Sequence, residues 1–227
     1  MRHHVGVAVV MTLILAACGG SGSSSPTPNP GQPGGVMSFF VSSATNTTGN
    51  LGGLRGADAI CQNLAVAVGA ASRTWRAYLS VEHDPDNGNG ATDARSRIGS
   101  GPWVNANGAT IAADLASLHA RKGDSTLFVD ERGQRINGQW SGSPSPVQHD
   151  ILTGSSSDGR LMAGLTCGDW TSASAGVAAQ VGHSDGLGPN GDTSGTLSSW
   201  NSAHANANCA DTAPRGGAGR IYCFARN

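Results

Sequence analysis

Charge is scarce in this 227-residue chain: Asp, Glu, Lys and Arg together make up 13%, about half of the usual quarter, and Lys122 is the single lysine. Basic and acidic residues number 14 and 15, a net charge of -1. No basic field exists to gather nucleic acid, polyanionic glycans or acidic lipid, so a nucleic-acid partner is not expected. Aromatic residues are only 5%, and long charged helix-forming runs are missing. That excludes a coiled coil, a helical bundle and a charge-driven disordered chain. None of the five cysteines stands within a few residues of another, so the closely spaced cysteine pair of a local zinc site is missing too. What the chain has in excess is glycine, 34 residues, about twice the usual share.

The first residues read as an address. Val5–Ala17 is apolar, but as a helix it would reach only roughly 20 Å, short of a hydrocarbon core of about 30 Å. It is therefore a signal segment rather than a span. Leu15-Ala16-Ala17-Cys18 resembles a bacterial lipobox. That resemblance implies a signal peptide over 1–17, lipid on Cys18 and anchorage in a bacterial outer membrane or cell surface, Gly19 disfavouring inner-membrane retention. Residues 18–35 run through Gly, Ser and alternating Pro, a flexible tether that cannot build a core. One domain over 36–227 remains.

Within it the patterning is α+β, with short mixed strands, one or two helices and long loops. Gly56–Gly69 places Ala57, Ile60, Cys61, Leu64 and Val68 on one helical face, with Asp58 in its first turn and Gly69 as a left-handed stop. Ile111–His119 is a shorter helix. Met37–Ser42, Trp75–Val81, Leu127–Val129, Arg135–Ile136 and Arg220–Phe224 are the expected strands. Thr166–Pro214, rich in Gly, Ser and Asn, is expected to be irregular. Four cysteines are left to pin such a chain in an exported protein, Cys61, Cys167, Cys209 and Cys223, and the sequence leaves their three possible pairings open.

Gly49–Asp58 (GNLGGLRGAD), Cys61, Trp75–Ser80 (WRAYLS), Asp158–Leu161, Cys167–Thr171 (CGDWT) and Cys209 with Arg220–Phe224 (RIYCF) follow one another in an order that resembles endostatin. With the lipobox, the chain is most similar to bacterial endostatin-like surface lipoproteins, the leptospiral set being the known example. The resemblance runs from about Phe39 to Phe224. It implies a C-type lectin-like (endostatin-like) fold with nested disulfides, Cys61–Cys223 outside Cys167–Cys209. It also implies a non-enzymatic binding or adhesion module for an extracellular matrix protein or glycan; a structural envelope lipoprotein without a soluble ligand is the alternative. Endostatin's zinc rests on histidines near its start, and Val36–Phe39 offers none, so no metal is carried over. Its heparin binding rests on clustered arginines, which are scattered here.

Several residues invite chemical readings. Asp84, Asp86, Asn87, Asn89 and Asp93 are oxygen donors of the kind Ca²⁺ takes, although Gly88 and Arg95 break the EF-hand register. A solvated turn is the plainer expectation, and no cofactor is expected. Gly188-Pro189-Asn190 and Trp200-Asn201 resemble, with departures, the sugar-binding tripeptides of calcium-dependent lectins. Trp140, Trp200, Asn190 and Asn201 are the candidate ligand contacts, the two tryptophans because Gly, Ser and Asn flank them. Gly182–Gly186 fits G-x-S-x-G, but Leu187–Thr196 cannot supply the helix a nucleophile elbow needs. His149-Asp150 is expected to anchor a loop through hydrogen bonds. No catalytic set is apparent, and an enzyme is not expected.

Overall fold

In the computed structural model the chain divides into Met1–Gln32 and Pro33–Asn227, and the structure describes residues 1, 3 and 36–226. The signal segment 1–17, Cys18 and the tether to residue 35 lie outside the described residues apart from positions 1 and 3. Among the described residues no helix is long and apolar enough to cross a membrane.

The strands are β1 (Phe39–Val41), β2 (Thr74–Ala77), β3 (Val81–Asp84), β4 (Gly90–Thr92), β5 (Trp103–Val104), β6 (Thr110–Ala112), β7 (Asp150–Leu152), β8 (Ala175–His183), β9 (His204–Asn208) and β10 (Gly217–Arg226). The helices are α1 (Gly53–Ala67), α2 (Leu115–Ala120) and the single turn α3 (Cys167–Trp170). The main sheet runs β1-β10-β7-β8-β9, with β2 also on β10; β3-β4 and β5-β6 are two-stranded ribbons. β10 is the spine. It lies parallel to β7 along its first half and antiparallel to β1 and β2 along its second. The architecture is thus mixed α+β, with few helices and several small sheets.

Both faces of the spine are covered, which is why its sequence reads as a continuous apolar run rather than a polar alternation. Side chains of a strand alternate between faces, and here successive residues enter two different cores. Ile221, Cys223 and Ala225 join Phe40, Trp75 and the inner face of α1. Tyr222 and Phe224 join Phe39, Tyr78, Trp103, Phe128 and Trp200. The second core is built around a cluster of aromatic rings set among aliphatic side chains, with Phe39 and Phe224 ring centroids 4.8 Å apart and Tyr78 and Trp200 4.9 Å apart.

α1 begins one turn earlier than its apolar spacing predicts, at Gly53, and buries Leu54, Ala57, Cys61 and Ala65. Gly69 follows its C-cap at φ 80°, its N–H bonded to the Val66 carbonyl, the left-handed stop expected of it. Asp58 does not serve the first turn. It is buried (8% exposed) and accepts from Arg76, Arg97 and the Ala77 N–H, fixing α1 to β2.

Thr166–Pro214 is less irregular than its composition suggests, because it holds β8 and β9. Their Ala-, Gly- and Asn-rich residues carry little intrinsic strand preference; the ladders of β7 with β8 and of β8 with β9 impose it. Leu127–Val129 and Arg135–Ile136 form only an isolated bridge, Val129 to Arg135. Ile111–His119 splits into β6 and α2, the helix opening on a capping box between Asp114 and Ser117.

Cys61 is bonded to Cys223 and Cys167 to Cys209, with Cα–Cα distances of 5.4 and 5.8 Å. One bridge closes inside the loop of the other. The first ties α1 to the spine. The second ties α3 to the segment after β9, and α3 is a left-handed turn, its four residues at φ of 49°, 58°, 55° and 63°. L-residues rarely adopt that conformation in series. It is held by Asp169, which accepts from the Glu82 and His83 N–H groups, and by the Trp170 indole on the Ser80 carbonyl.

Candidate functional site

A histidine-floored cavity at the end of the main sheet

Strand pairing brings together residues that lie far apart in the sequence. β7 begins at Asp150, whose register partner across the ladder is His183, the last residue of β8. On the other side of β8, Val181 pairs with His204, the first residue of β9. His149 directly precedes β7. Three strand termini thus deliver three imidazoles and a carboxylate to one end of the sheet.

The atoms converge. Asp150 Oδ1 lies 3.3 Å from both His149 Nε2 and His183 Nε2, and Asp150 Oδ2 lies 3.4 Å from His204 Nε2. His149 Nε2, His183 Nε2 and the Asp150 carboxylate all fall within 4.8 Å of one another, a donor set that could hold a metal ion. The His149 and His183 rings stack with centroids 4.4 Å apart and planes 9° apart, and His204 stands edge-on to His183 at 5.0 Å. His149, Asp150 and His183 are buried, while the His204 side chain keeps 25% of its exposure.

The opposite nitrogen of each ring is committed. His149 Nδ1 donates to Asp185 Oδ1 at 2.7 Å, His183 Nδ1 to the Leu197 carbonyl at 2.8 Å and His204 Nδ1 to the Ala205 carbonyl at 3.2 Å. Asp185 is itself fixed, accepting from the Gln139 and Leu187 N–H groups. Burial pushes the Asp185 carboxyl up, but the bond and charge of His149 and the two backbone donors outweigh it and hold it below the ordinary carboxylate range. Asp150 behaves alike: desolvation opposes ionisation, yet His183, His204 and His149 hold it low. His204 is raised, first by its contact with Asp150, against desolvation. Even so, Asp150 Oδ1 has no aligned hydrogen-bond donor; its neighbours sit at ion-pair distance.

Above this floor opens a cavity of about 330 Å³, lined by Gln139, Pro189, Leu197 and Arg215 together with His149, His183 and His204. Gly216, next to the lining residue Arg215, sits at φ 107°, where L side chains are rare, and a Cβ there would stand 3.2 Å from His149 Cδ2 and 3.0 Å from Val147 Cγ1. Glycine therefore suits the close approach of the backbone to the imidazole.

The residues singled out in sequence lie elsewhere or do other work. Trp200 is fully buried, its indole donating to the Leu118 carbonyl, and is a core residue rather than a ligand contact. Asn201 is 1% exposed and spends its amide on Tyr78 and the Ser156 carbonyl. Their Ser and Asn neighbours suggest a loop surface, but the tight packing of Gly182 against the Trp200 carbonyl turns the segment inward. Trp140 is half-buried, its indole on the Ile136 carbonyl and its ring 3.6 Å from the Arg135 guanidinium. Asn190 is exposed on a turn at φ 59°. The buried Asn201 and exposed Asn190 form no common sugar-binding surface.

The calcium candidates Asp84, Asp86 and Asn87 line one cavity but are engaged with other partners. Asp84 caps the turn at Asp86, and Asp86 pairs with Arg55. Asn87 donates to the Ala91 carbonyl, and Asp93 accepts from Leu161 N–H. Asn89 occupies a left-handed position at φ 65°. Asp84, Asp86 and Asp93 do not gather as a metal-binding group, which among the described residues is formed by His149, Asp150 and His183. Ser184 of the G-x-S-x-G match is buried at the same end, its N–H on the His149 carbonyl, and among the described residues only short 3-10 turns, no α-helix, follow it.

No protein-family model matches the chain, and no curated protein matches it significantly.

Proposed function

We propose that the chain is a displayed, non-enzymatic binding module, resembling the endostatin-like surface lipoproteins, whose ligand enters the cavity above His149, His183 and His204. The observation that carries this reading is the cavity itself: about 330 Å³, its walls drawn from loops and its floor fixed by a hydrogen-bonded sheet end. Sites built from loops on a rigid scaffold are the common arrangement for recognition. Among the described residues the exposed large hydrophobics are Met1, Val36 and Val66, which form no contiguous stretch of sequence. The bound partner is an extracellular matrix protein or glycan, and lipid on Cys18 holds the module at an outer membrane. A C-type lectin-like lineage fits the mixed sheets and nested bridges.

The test is an array of glycans and matrix proteins, probed with the protein and with a Pro189→Trp variant whose indole blocks the cavity mouth. Binding by the first, lost in the second at unchanged melting temperature, supports the reading. Silence across the array overturns it and favours a structural envelope protein; binding indifferent to the block overturns the assignment of the ligand to this cavity. Mass spectrometry of the mature N-terminus checks the lipid: an unmodified Cys18 refutes anchorage.

A further inference from the structure

We propose that His149 Nε2, His183 Nε2 and the Asp150 carboxylate hold a divalent late-transition metal ion, zinc first among them, with His204 Nε2 as a fourth donor on the exposed side. This goes beyond the binding reading and does not depend on it.

Three independent features carry the assignment. The first is spacing. With metal–ligand bonds of about 2.0–2.1 Å, neighbouring donors of a tetrahedral site stand about 3.3–3.4 Å apart. The carboxylate-to-imidazole contacts here are 3.3, 3.3 and 3.4 Å, longer than a well-formed N–H···O bond.

The second is tautomer. A carbonyl can only accept, so the Nδ1 atoms of His183 and His204 must donate to Leu197 and Ala205. The ionised Asp185, already accepting from two backbone N–H groups, sets the same direction for His149. With each Nδ1 so committed, Nε2 is the nitrogen that faces the Asp150 carboxylate, and in the neutral form of the ring it carries the lone pair a metal takes. Lone pair against carboxylate oxygen is repulsive unless a proton or a metal cation lies between them, and at contacts of 3.3–3.4 Å there is room for the metal. Imidazoles whose far nitrogens donate to a carboxylate or backbone carbonyl are the usual outer support of metal-bound histidine.

The third is the orphan. Asp150 Oδ1, on a side chain 3% exposed, has no hydrogen-bond donor, where buried polar atoms as a rule find one. A hydrogen-bonded loop anchor would have satisfied that oxygen.

Mixed imidazole and carboxylate donors suit zinc, cobalt, nickel, copper or iron rather than calcium or magnesium, which take oxygen. His204 stands slightly apart, beside the other carboxylate oxygen and outside the tight three-residue group. It is the donor a ligand entering from the cavity would displace.

The experiment is titration of the chelator-treated, dialysed full-length protein with zinc by calorimetry, and with cobalt by visible spectroscopy. One zinc per chain, and the intense visible bands of four-coordinate cobalt, are the expected results. His183→Ala removes a central donor and should weaken zinc binding at least hundredfold. His204→Ala should weaken it about tenfold, and Asp185→Asn, which touches no metal, roughly tenfold to hundredfold through the orientation of His149. His204 is partly exposed, so that variant keeps the proposal testable if His183→Ala fails to fold; melting of each metal-free variant reports folding. Absence of stoichiometric zinc binding in the unaltered protein overturns the proposal. So does a folded His204→Ala or Asp185→Asn variant with unaltered zinc affinity and cobalt spectrum. A silent glycan array leaves it standing.

Discussion

Opening the two disulfides separately should cost different amounts, and the order is fixed by topology. In the chain-entropy account a bridge stabilises by removing freedom from the unfolded chain, more so for a longer loop. The Cys61–Cys223 bridge spans 162 residues and Cys167–Cys209 spans 42. Those loops correspond to at most about 5 and 4 kcal/mol, a difference of about 1.2 kcal/mol. For a domain near 190 residues, an unfolding entropy of about 2 cal/mol/K per residue converts 4 kcal/mol into a drop of about 10 °C in melting temperature. Both bridges are fully buried in the first core, so the Cys→Ala pairs also lose sulfur packing. The assay is urea and thermal denaturation of Cys61→Ala/Cys223→Ala and Cys167→Ala/Cys209→Ala beside the unaltered protein, with and without reductant. The expected order is outer bridge worse than inner, each destabilised by several kcal/mol. If either pair melts within 2 °C or so of the parent, or the inner pair proves the more damaging, the idea that crosslinks compensate for a glycine-laden chain fails.

Asp58→Asn should destabilise by about 3 kcal/mol, because it leaves the nearly buried Arg97 guanidinium without its carboxylate; urea midpoints measure it. Trp200→Ala should cost about 3–5 kcal/mol as a core deletion. Trp140→Ala, half-exposed, should stay under about 1.5 kcal/mol; equal costs would mean the two tryptophans are misplaced. His119 gives a pH signature. Burial depresses its pKa, against the bond to Leu115, while Nδ1 donates to that carbonyl and Nε2 accepts from the Tyr78 hydroxyl. The folded state thus disfavours the charged ring: its contribution is full above about 6.5, the unfolded value, and is lost as pH falls below it toward the lower folded pKa. Stability followed from pH 7.5 to 5 should decline, and His119→Gln should flatten that limb; an unchanged slope refutes the assignment.

What the sequence made legible were the elements that carry their own signal. α1 announces itself by apolar spacing and its closing Gly69, and the end of the spine by Ile221–Phe224. β8 and β9 were hidden because Ala, Gly and Asn specify little by themselves; their strand state comes from neighbours in the sheet. Local composition also misled at Trp200. Polar flanks speak for exposure only when the backbone is free to leave the surface outward, and here Tyr222 donates to the Trp200 carbonyl while Gly182 presses on it.

The histidine cluster was hidden for a different reason. A spacing rule for metal sites detects ligands delivered by one turn or one hairpin, but His149, His183 and His204 are delivered by three strands whose order in the sheet is a tertiary fact. A weaker signal was present in His149 alone, which carries Asp150 beside it; His183 and His204 stand at strand ends that only the sheet pairing reveals. Strand ends in one sheet meet in space when the strands pair consecutively, as β7, β8 and β9 do. Charged or imidazole residues repeated at such boundaries are therefore better evidence of a shared site than their distance along the chain suggests. The same logic accounts for Gly216. At the entry to the spine a Cβ on Gly216, at φ 107°, would press on His149 and Val147, so glycine suits the close approach of this backbone to the imidazole.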